Sequence, residues 1–289
     1  MEKELAAEFS GQNWQVPGFI LRELKPRSTR YAVVIPVFNE GERIRDQLWR
    51  MHAQGIAAQA DMIIADGGST DGSLAEDFLR ETGVRALITK TGPGKLSAQL
   101  RCGYAWALMQ GYEGIVTIDG NGKDGVGTIP QFLAALGEGY AYVQASRFLR
   151  GGRSENTPFL RLFAIRMVHA PLLSLAARKV LTDTTQGYRA YSRVYLLHPD
   201  VQPFRDVFSG YELLAYLTVR ASQLGLKVKE LPTERIYPKG EKIPTKISGF
   251  AALAQLLRIV FQVLLGAYHP SPRASRPRSS AQQPMPLHE

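Results

Sequence analysis

Short apolar runs alternate with stretches of helical periodicity along most of this chain. The runs are rich in Val, Ile and Ala without polar alternation, which is typical of strands buried on both faces of a parallel sheet. They cover residues 31–35, 62–65, 86–88, 115–118 and 142–145, and a further strand is predicted near residues 227–231. Between them, apolar residues recur at helical spacing over residues 42–53, 73–82, 96–110, 129–136 and 210–224. This alternation predicts an α/β fold in which helices cover both faces of a mostly parallel sheet.

Two of the predicted strands end in an acidic residue and a glycine-rich turn. Asp66 opens the sequence Asp-Gly-Gly-Ser-Thr-Asp-Gly, and Asp119 opens Asp-Gly-Asn-Gly-Lys-Asp. Open α/β sheets bind ligands at the carboxyl ends of their strands, so both carboxylates are expected at such a crevice. Asp119, Asn121 and Asp124 offer oxygen ligands for Mg²⁺ or Mn²⁺ on a diphosphate. The same residue types are ordinary turn formers, and this second turn alone leaves both interpretations open.

The second half of the chain is less regular. A glycine-rich basic loop at residues 148–158 precedes a long apolar helical stretch, residues 159–180, which we expect to be broken near Pro171. Residues 182–193 are interpreted as loop and strand.

Residues 250–268 form a last apolar stretch, marginal in length for a membrane span, which needs about 20 apolar residues. A thin polar stripe follows one face of this predicted helix and consists of Gln255, Arg258 and Gln262. Such a helix is expected either to lie in a membrane interface or to pack on the domain. Residues 270–289 are rich in Ser, Pro, Arg and Gln and are expected to be disordered.

Composition narrows the class of partner. The 289 residues carry a formal charge of +9, with 35 Lys and Arg against 26 Asp and Glu. The basic residues form no dense run and accompany no nucleic-acid module, which argues against nucleic acid and favours phosphorylated ligands or an anionic membrane surface. Cys102 is the single cysteine, so no intramolecular disulfide can form, which fits a reducing compartment. The N-terminal residues lack the apolar core of a signal peptide.

Several motifs, taken in order, resemble those of family 2 glycosyltransferases of the GT-A fold, and among these the dolichyl- and polyprenyl-phosphate sugar synthases. Ile35-Pro-Val-Phe-Asn-Glu40 followed by Asp66-Gly-Gly-Ser-Thr-Asp-Gly72 carries most of the resemblance. The likeness runs over residues 31–249 and includes Gln144-Ala-Ser-Arg-Phe148 and Asp183-Thr-Thr-Gln-Gly-Tyr-Arg189. It implies a GT-A, Rossmann-like architecture, in agreement with the periodicity.

The resemblance also implies a site for a nucleotide-diphosphate sugar. The family's nucleotide-binding positions match Pro36, Phe38, Glu40, Asp66 and Lys95. Asp119, Gly120 and Asn121 fall where the family carries its metal-binding Asp-x-Asp. Because an amide brings no negative charge, binding of Mg²⁺ or Mn²⁺ is expected to be weaker or to depend on Asp124. The ion would neutralise the leaving diphosphate.

Basic residues are expected to hold the phosphates of donor or acceptor, because a guanidinium binds such oxygens bidentately. By resemblance these are Arg147, Arg161, Arg235 and Lys246. The implied reaction is an inverting transfer, in which an acceptor oxygen attacks the anomeric carbon as the nucleoside diphosphate leaves. A polyprenyl phosphate acceptor needs no base, whereas a hydroxyl acceptor needs one. The predicted catalytic residues, including the two candidate bases Glu212 and Asp183, are Asp119, Arg147, Asp183 and Glu212.

We therefore expect an N-terminal arm (1–29), a GT-A domain (30–249), an amphipathic helix (250–269) and a tail (270–289). The expected enzyme transfers a sugar to a polyprenyl phosphate and is peripheral on the cytoplasmic face of the membrane. Two alternatives remain: a transferase with a saccharide or lipid hydroxyl acceptor, and a nucleotide-sugar-binding protein without catalysis, which Asn121 leaves open. The sugar, the nucleotide and homo-oligomerisation are left open.

Overall fold

A nine-stranded sheet runs through the described part of the chain, which comprises residues 2–4, 13–238 and 250–271 of a computed structural model. Its strands are β1 (Glu2–Glu4), β2 (Phe19–Glu23), β3 (Tyr31–Val37), β4 (Asp61–Asp66), β5 (Val84–Lys90), β6 (Gly114–Thr117), β7 (Tyr142–Ser146), β9 (Arg189–Ser192) and β10 (Val228–Pro232). A separate pair of short parallel strands consists of β8 (Arg153–Glu155) and β11 (Glu234–Ile236).

The order of strands in the main sheet is β1-β2-β5-β4-β3-β6-β9-β7-β10. Strands β3 to β6 pair in parallel, as do β7 and β10, whereas β2 and β9 run antiparallel to their neighbours. The predicted mostly parallel sheet is therefore confirmed, with two strands of opposite direction.

Helices cover both faces of this sheet. They are α1 (Glu42–Ala53), α2 (Ile56–Gln59), α3 (Glu76–Glu81), α4 (Leu96–Met109), α5 (Ile129–Gly137), α6 (Phe159–Ala164), α7 (Ala170–Ala177), α8 (Arg193–Leu196), α9 (Glu212–Gln223) and α10 (Phe250–Leu264). One apolar core lies under α4, α7, α9 and α10, and the other under α1, α2, α3 and α5. Within β3, Val34 belongs to the first core, and Val33 and Ile35 belong to the second. Burial on both faces is why the strand sequences are continuously apolar.

The chain before β3 contributes more to the sheet than a polar arm would. The Trp14 ring lies 4.2 Å from that of Phe204, centroid to centroid, and Phe19 is buried. β2 pairs antiparallel with β5 and thereby covers an edge of the parallel strands.

The helical stretch after β8 is continuous, so the break that we expected near Pro171 is absent. Between α6 and α7 the backbone forms a π-helical turn, Ile165–His169, and Pro171 lies in the first turn of α7. A proline is tolerated there because the first residues of a helix, here after a wider π-helical turn, need not donate a backbone hydrogen bond.

The last helix, α10, packs on the domain. Ile259, Val260 and Val263 are buried against α7 and α9, whereas Gln255 and Arg258 of the polar stripe are exposed. Packing on the domain therefore accounts for the amphipathic pattern of α10. The predicted phosphate ligand Lys246 and most of the predicted tail lie outside the described residues.

Candidate active site

Asp66 and Asp119 lie on either side of the carboxyl end of β3. Asp66 ends β4 and is in register with Val37. Asp119 follows β6, and the next residue, Gly120, donates its N–H to the Pro36 carbonyl at 3.2 Å. Because neighbouring strands are about 4.8 Å apart, the backbones at the two acids are about 10 Å apart. Both carboxylates thus occur at one edge of the sheet, where a ligand crevice is expected.

The residues predicted to surround the nucleotide lie near Asp66. Its Oδ1 accepts hydrogen bonds from the N–H and Oγ of Ser69 at 2.9 and 2.7 Å. The Phe38 side chain is exposed at the end of β3, and Glu40 Oε2 lies 3.4 Å from Arg43 Nη1. An exposed ring beside a fixed carboxylate suits a nucleobase, which can stack on the ring and donate an N–H to the acid.

Lys95 precedes α4 and Glu212 begins α9, and the chain segments at the starts of these two helices contact each other. The backbone N–H of Lys95 donates to the Ser209 carbonyl at 2.6 Å, and its ammonium lies 6.0 Å from the centre of the Tyr211 ring. The Glu212 carboxylate accepts the Gly210 N–H at 2.7 Å. This hydrogen bond gives Glu212 a structural role, and its role as a base stays a prediction.

The turn after Asp119 is fixed against α1. Gly122 has φ of +73°, which favours glycine, and its carbonyl accepts a hydrogen bond from Arg50 at 2.9 Å. The amide of Asn121 donates to Asp119 Oδ2 at 3.4 Å, and its oxygen accepts the N–H of Lys123 at 3.3 Å. Asn121 therefore points an amide nitrogen at the acid.

Two later segments of the chain approach Asp119. A Cβ atom on Gly187 would lie 2.0 Å from Asp119 Oδ1, so any side chain there would displace the Asp119 carboxylate. Arg235 Nη2 lies 3.6 Å from Asp119 Oδ2. The Asp119 side chain is 22% exposed, so solvent or a ligand reaches the carboxylate on its remaining side.

Asp124 does not face this opening. It is fully buried, and its two carboxylate oxygens accept hydrogen bonds from Arg235 Nη1 at 2.7 and 2.6 Å. Burial alone would lower the pKa of Arg235, but Asp124 and Asp119 outweigh it and raise the pKa above the ordinary value. The expectation that Asp124 completes a metal site is therefore wrong, because its oxygens are occupied by Arg235.

Arg147 and Asp183, both predicted to be catalytic, form a second buried ion pair. Arg147 Nε donates to Asp183 Oδ2 at 2.7 Å, and neither side chain is more than 1% exposed. Gln186 also donates to Asp183, and Arg147 donates to Thr185. The structure thus pairs Arg147 with Asp183, and the phosphate contact of Arg147 and the base role of Asp183 stay predictions. A charged group this deeply buried needs its partner to stay charged.

A cluster of cations surrounds Tyr237, which no motif identified. The centre of its ring lies 5.1 Å from Lys123 Nζ, 5.7 Å from Arg235 Cζ and 5.8 Å from Arg161 Cζ. Burial raises the pKa of Tyr237, but Arg235 and Arg161 outweigh it and lower the pKa. These four residues are termed the Tyr237 cluster. Its positive charge, next to Asp119, suits a phosphate group.

The residues at Asp119 fit a divalent ion poorly. Among the described residues, no three His, Cys, Asp or Glu side chains converge on one point. Asp124 is occupied, Asn121 points a nitrogen inward, and the cations Lys123 and Arg235 flank the remaining carboxylate. Mg²⁺ and Mn²⁺ prefer several oxygen ligands, usually with more than one negative charge.

Helix α6 connects the Tyr237 cluster to an exposed apolar surface. Arg161 belongs to α6, and exposed apolar side chains recur along α6, the π-helical turn and α7 at spacings of three and four residues. These side chains, termed the α6–α7 stripe, are Leu160, Phe163, Met167, Pro171 and Leu175. Within the described ranges, Phe159–Ala177 is the one helix that is long and apolar enough to cross a membrane, and only 22% of its apolar stretch is buried. Core helices pass the same test, but they are mostly buried.

Comparison with known proteins identifies the family of this chain. The family model for glycosyl transferase family 2 matches residues 32–198. Polyprenol monophosphomannose synthase from Mycolicibacterium smegmatis is 30% identical over 212 residues, which cover 71% of this chain and 78% of that protein. Undecaprenyl-phosphate mannosyltransferase from Micrococcus luteus is 27% identical over 206 residues, 70% of this chain and 82% of that protein.

A solved structure shares the fold. Glucosyl-3-phosphoglycerate synthase from Mycobacterium tuberculosis, in complex with Mn²⁺, uridine diphosphate and phosphoglyceric acid, superposes with a TM-score of 0.58 at 19% identity. The match covers 84% of this chain and 80% of that chain. This likeness confirms the predicted architecture.

Proposed function

This chain belongs to glycosyl transferase family 2, and from that premise we propose that it transfers a sugar from a nucleoside diphosphate to a polyprenyl phosphate. The observation that carries the proposal is the position of Arg161. It belongs to the Tyr237 cluster beside Asp119, and it lies on the helix that begins the α6–α7 stripe. An acceptor with a phosphate head and a long apolar chain matches both features. The names of the two relatives support mannose as the sugar.

In the proposed reaction an acceptor phosphate oxygen attacks the anomeric carbon from the side opposite the diphosphate. A carbon–oxygen bond to the acceptor forms, and the bond to the diphosphate breaks, with its electron pair leaving on the nucleoside diphosphate. A phosphate monoester is already anionic near pH 7, since its second pKa is about 6, so no general base is required. The burial of Asp183 and the backbone hydrogen bond of Glu212 are compatible with such an acceptor.

The protein's part in this reaction is to position the two substrates and to stabilise charge. Asp66 and Phe38 would hold the nucleotide, and the Tyr237 cluster would hold phosphates at the reacting centre. Fixed cations in a site of low polarity stabilise a leaving group more than they would in water. Mn²⁺ accompanies uridine diphosphate in the solved neighbour, which supports a divalent ion in this fold generally. The residues at Asp119 fit such an ion poorly, so no step of the proposed reaction depends on a divalent ion.

We also propose that the α6–α7 stripe contacts the membrane in which the acceptor resides. Arg161, Arg166 and Arg178 accompany the stripe and would meet anionic lipid headgroups. The enzyme would then be peripheral on the cytoplasmic face. The acceptor could stay in the bilayer while its phosphate reaches the Tyr237 cluster.

The test is a transfer assay with the full chain, vesicles that contain undecaprenyl phosphate, and a panel of labelled nucleotide sugars that includes those of mannose. We expect label in the lipid fraction from one donor, and none with Asp119→Asn. Label in a saccharide or in phosphoglyceric acid, but never in lipid, would contradict the proposal. Donor binding without any transfer would support the non-catalytic alternative.

Glu212→Gln separates the two classes of acceptor. A phosphate acceptor predicts that this variant keeps most of its turnover. A hydroxyl acceptor predicts loss of turnover and, in the unsubstituted chain, a pH profile governed by one carboxylate.

A further inference from the structure

Lys123 is a buried cation beside the Tyr237 ring. The residue is only 6% exposed, and its ammonium interacts electrostatically with Asp119, Arg235 and Arg161. Its backbone is fixed on both sides, because its N–H donates to Asn121 and its carbonyl accepts the Ile236 N–H at 2.9 Å. The Tyr237 ring, 5.1 Å away, compensates only part of the lost hydration. A buried ammonium of this kind needs an anion.

The other charges around the turn leave that anion to be supplied by a ligand. Arg235 is balanced by Asp124, with which it forms two short hydrogen bonds. Asp119 has Arg235 on one side, at 3.6 Å, and is open to solvent on the other. With Lys123 and Arg161 added, cations outnumber carboxylates in this part of the site. A divalent ion placed here would add to an excess of positive charge, whereas a diphosphate would offset it.

We propose that Lys123, supported by Arg235, takes the role of the divalent ion at the donor's diphosphate, so that this chain binds a nucleoside diphosphate without added metal. In the solved neighbour, Mn²⁺ accompanies the diphosphate. Here a fixed ammonium next to Asp119 offsets the charge of the leaving group, and a charge-assisted N–H···O bond replaces the ionic contact. The inference rests on the proposed function for its donor and is independent of the acceptor.

The test measures binding to the full chain by calorimetry, with uridine diphosphate, guanosine diphosphate and inorganic pyrophosphate as probes. Each is titrated once in EDTA and once in excess MnCl₂. For the nucleotide that binds, we expect dissociation constants within roughly threefold of each other under the two conditions. Lys123→Met keeps the length and the apolar stem of the side chain and removes the charge. We expect it to weaken binding in EDTA by roughly 10- to 100-fold.

Two further variants make the result specific. Lys25→Met is the matched control, because Lys25 follows β2, outside the site, and this variant is expected to bind like the unsubstituted chain. Lys123→Arg keeps the charge and is expected to keep most of the affinity. An equal loss in Lys123→Arg and Lys123→Met would assign Lys123 a packing role and overturn the proposal. Binding that disappears in EDTA, returns with Mn²⁺ and is unchanged in Lys123→Met would also overturn it.

These measurements contain no acceptor, so they separate the two proposals. Failure of the Lys123 prediction leaves transfer to polyprenyl phosphate standing. A chain that binds the nucleoside diphosphate in EDTA through Lys123, yet transfers no sugar to lipid, would keep this inference and contradict the proposed acceptor.

Discussion

The two aspartates of the turn after β6 have opposite surroundings. Asp119 is partly exposed and meets Arg235 from one side only, whereas Asp124 is buried and occupied by Arg235 through both oxygens. Their substitutions should therefore act on different properties. The first belongs to the chemistry of the site and the second to the stability of the fold.

We expect Asp119→Asn to lower turnover by roughly 100-fold or more while the free energy of unfolding changes little. Asp124→Asn leaves the Arg235 charge buried without its partner, which should lower the free energy of unfolding by about 3–5 kcal/mol. Steady-state kinetics and urea denaturation of both variants measure the two effects. A stable, inactive Asp124→Asn protein would contradict this assignment.

Gly187 is expected to tolerate no side chain. A Cβ atom there would lie 2.0 Å from Asp119 Oδ1, so Gly187→Ala must displace the carboxylate. We expect a loss of turnover of roughly tenfold or more with the fold retained. Gly137→Ala is the control, because a Cβ at the end of α5 would meet only the Tyr31 hydroxyl, at 3.7 Å. Equal activity of the two variants would show that Asp119 does not need its observed position.

The sequence predicts the place of a site residue where that residue directly follows a strand. Asp66 and Asp119 end buried apolar runs, so their place at the sheet edge could be predicted. The pairing of Arg147 with Asp183 could not be predicted, because the motif around an arginine is the same whether the side chain is exposed or buried. Lys123 was missed for the same reason. The Tyr237 ring that lies beside it comes from a segment more than 100 positions later.

Helices α6 and α7 have an exposed apolar face. Leu160 is 78% exposed and Phe163 is 51% exposed, which is costly unless another surface covers them. Burial of one such side chain contributes about 1.5–3 kcal/mol. The double variant Leu160→Gln, Phe163→Gln should therefore bind anionic vesicles roughly 100-fold more weakly or worse.

Vesicle co-sedimentation measures this effect. Val194→Gln provides a matched control, since Val194 is also exposed and apolar (74%) but lies on α8, outside the α6–α7 stripe. The prediction fails if the control weakens vesicle binding as much as the double variant. Donor binding should be unchanged in all of these variants.

The periodicity predicted most of the elements, and its errors have local physical causes. β2 was missed because its apolar run is only three residues long and is followed by the exposed Arg22 and Glu23. The direction of β9 follows from its insertion between β6 and β7, which depends on contacts distant in sequence. Pro171 predicted a break because the sequence does not reveal the π-helical turn that precedes it.

For the molecule as a whole, one half-buried histidine links folding to pH. Burial, with a further contribution from Arg189, lowers the pKa of His169 to about 4, against 6.5 for the free side chain. Between those values the unfolded chain binds a proton that the folded chain does not, so acid favours unfolding. The contribution of His169 is fully present above pH 6.5 and is lost as the pH falls towards 4. It amounts to about 3 kcal/mol at most.

Urea denaturation at a series of pH values should show this loss in the unsubstituted chain. In His169→Gln, which keeps a polar partner for the Thr184 hydroxyl, the decline between pH 6.5 and 4 should be shallower by that amount. Identical pH dependence of the two proteins would contradict the lowered pKa. Carboxylates that titrate in the same range contribute equally to both curves and therefore cancel.

The contact between Arg235 and Asp124 joins positions 111 residues apart in the chain. During synthesis, the strands on which the donor crevice is built leave the ribosome well before the arginine that neutralises Asp124. A nascent chain released before position 235 would bury an unbalanced acid and would lack Tyr237. The ability to hold a diphosphate should therefore appear abruptly and late in translation, after most of the sheet has already formed.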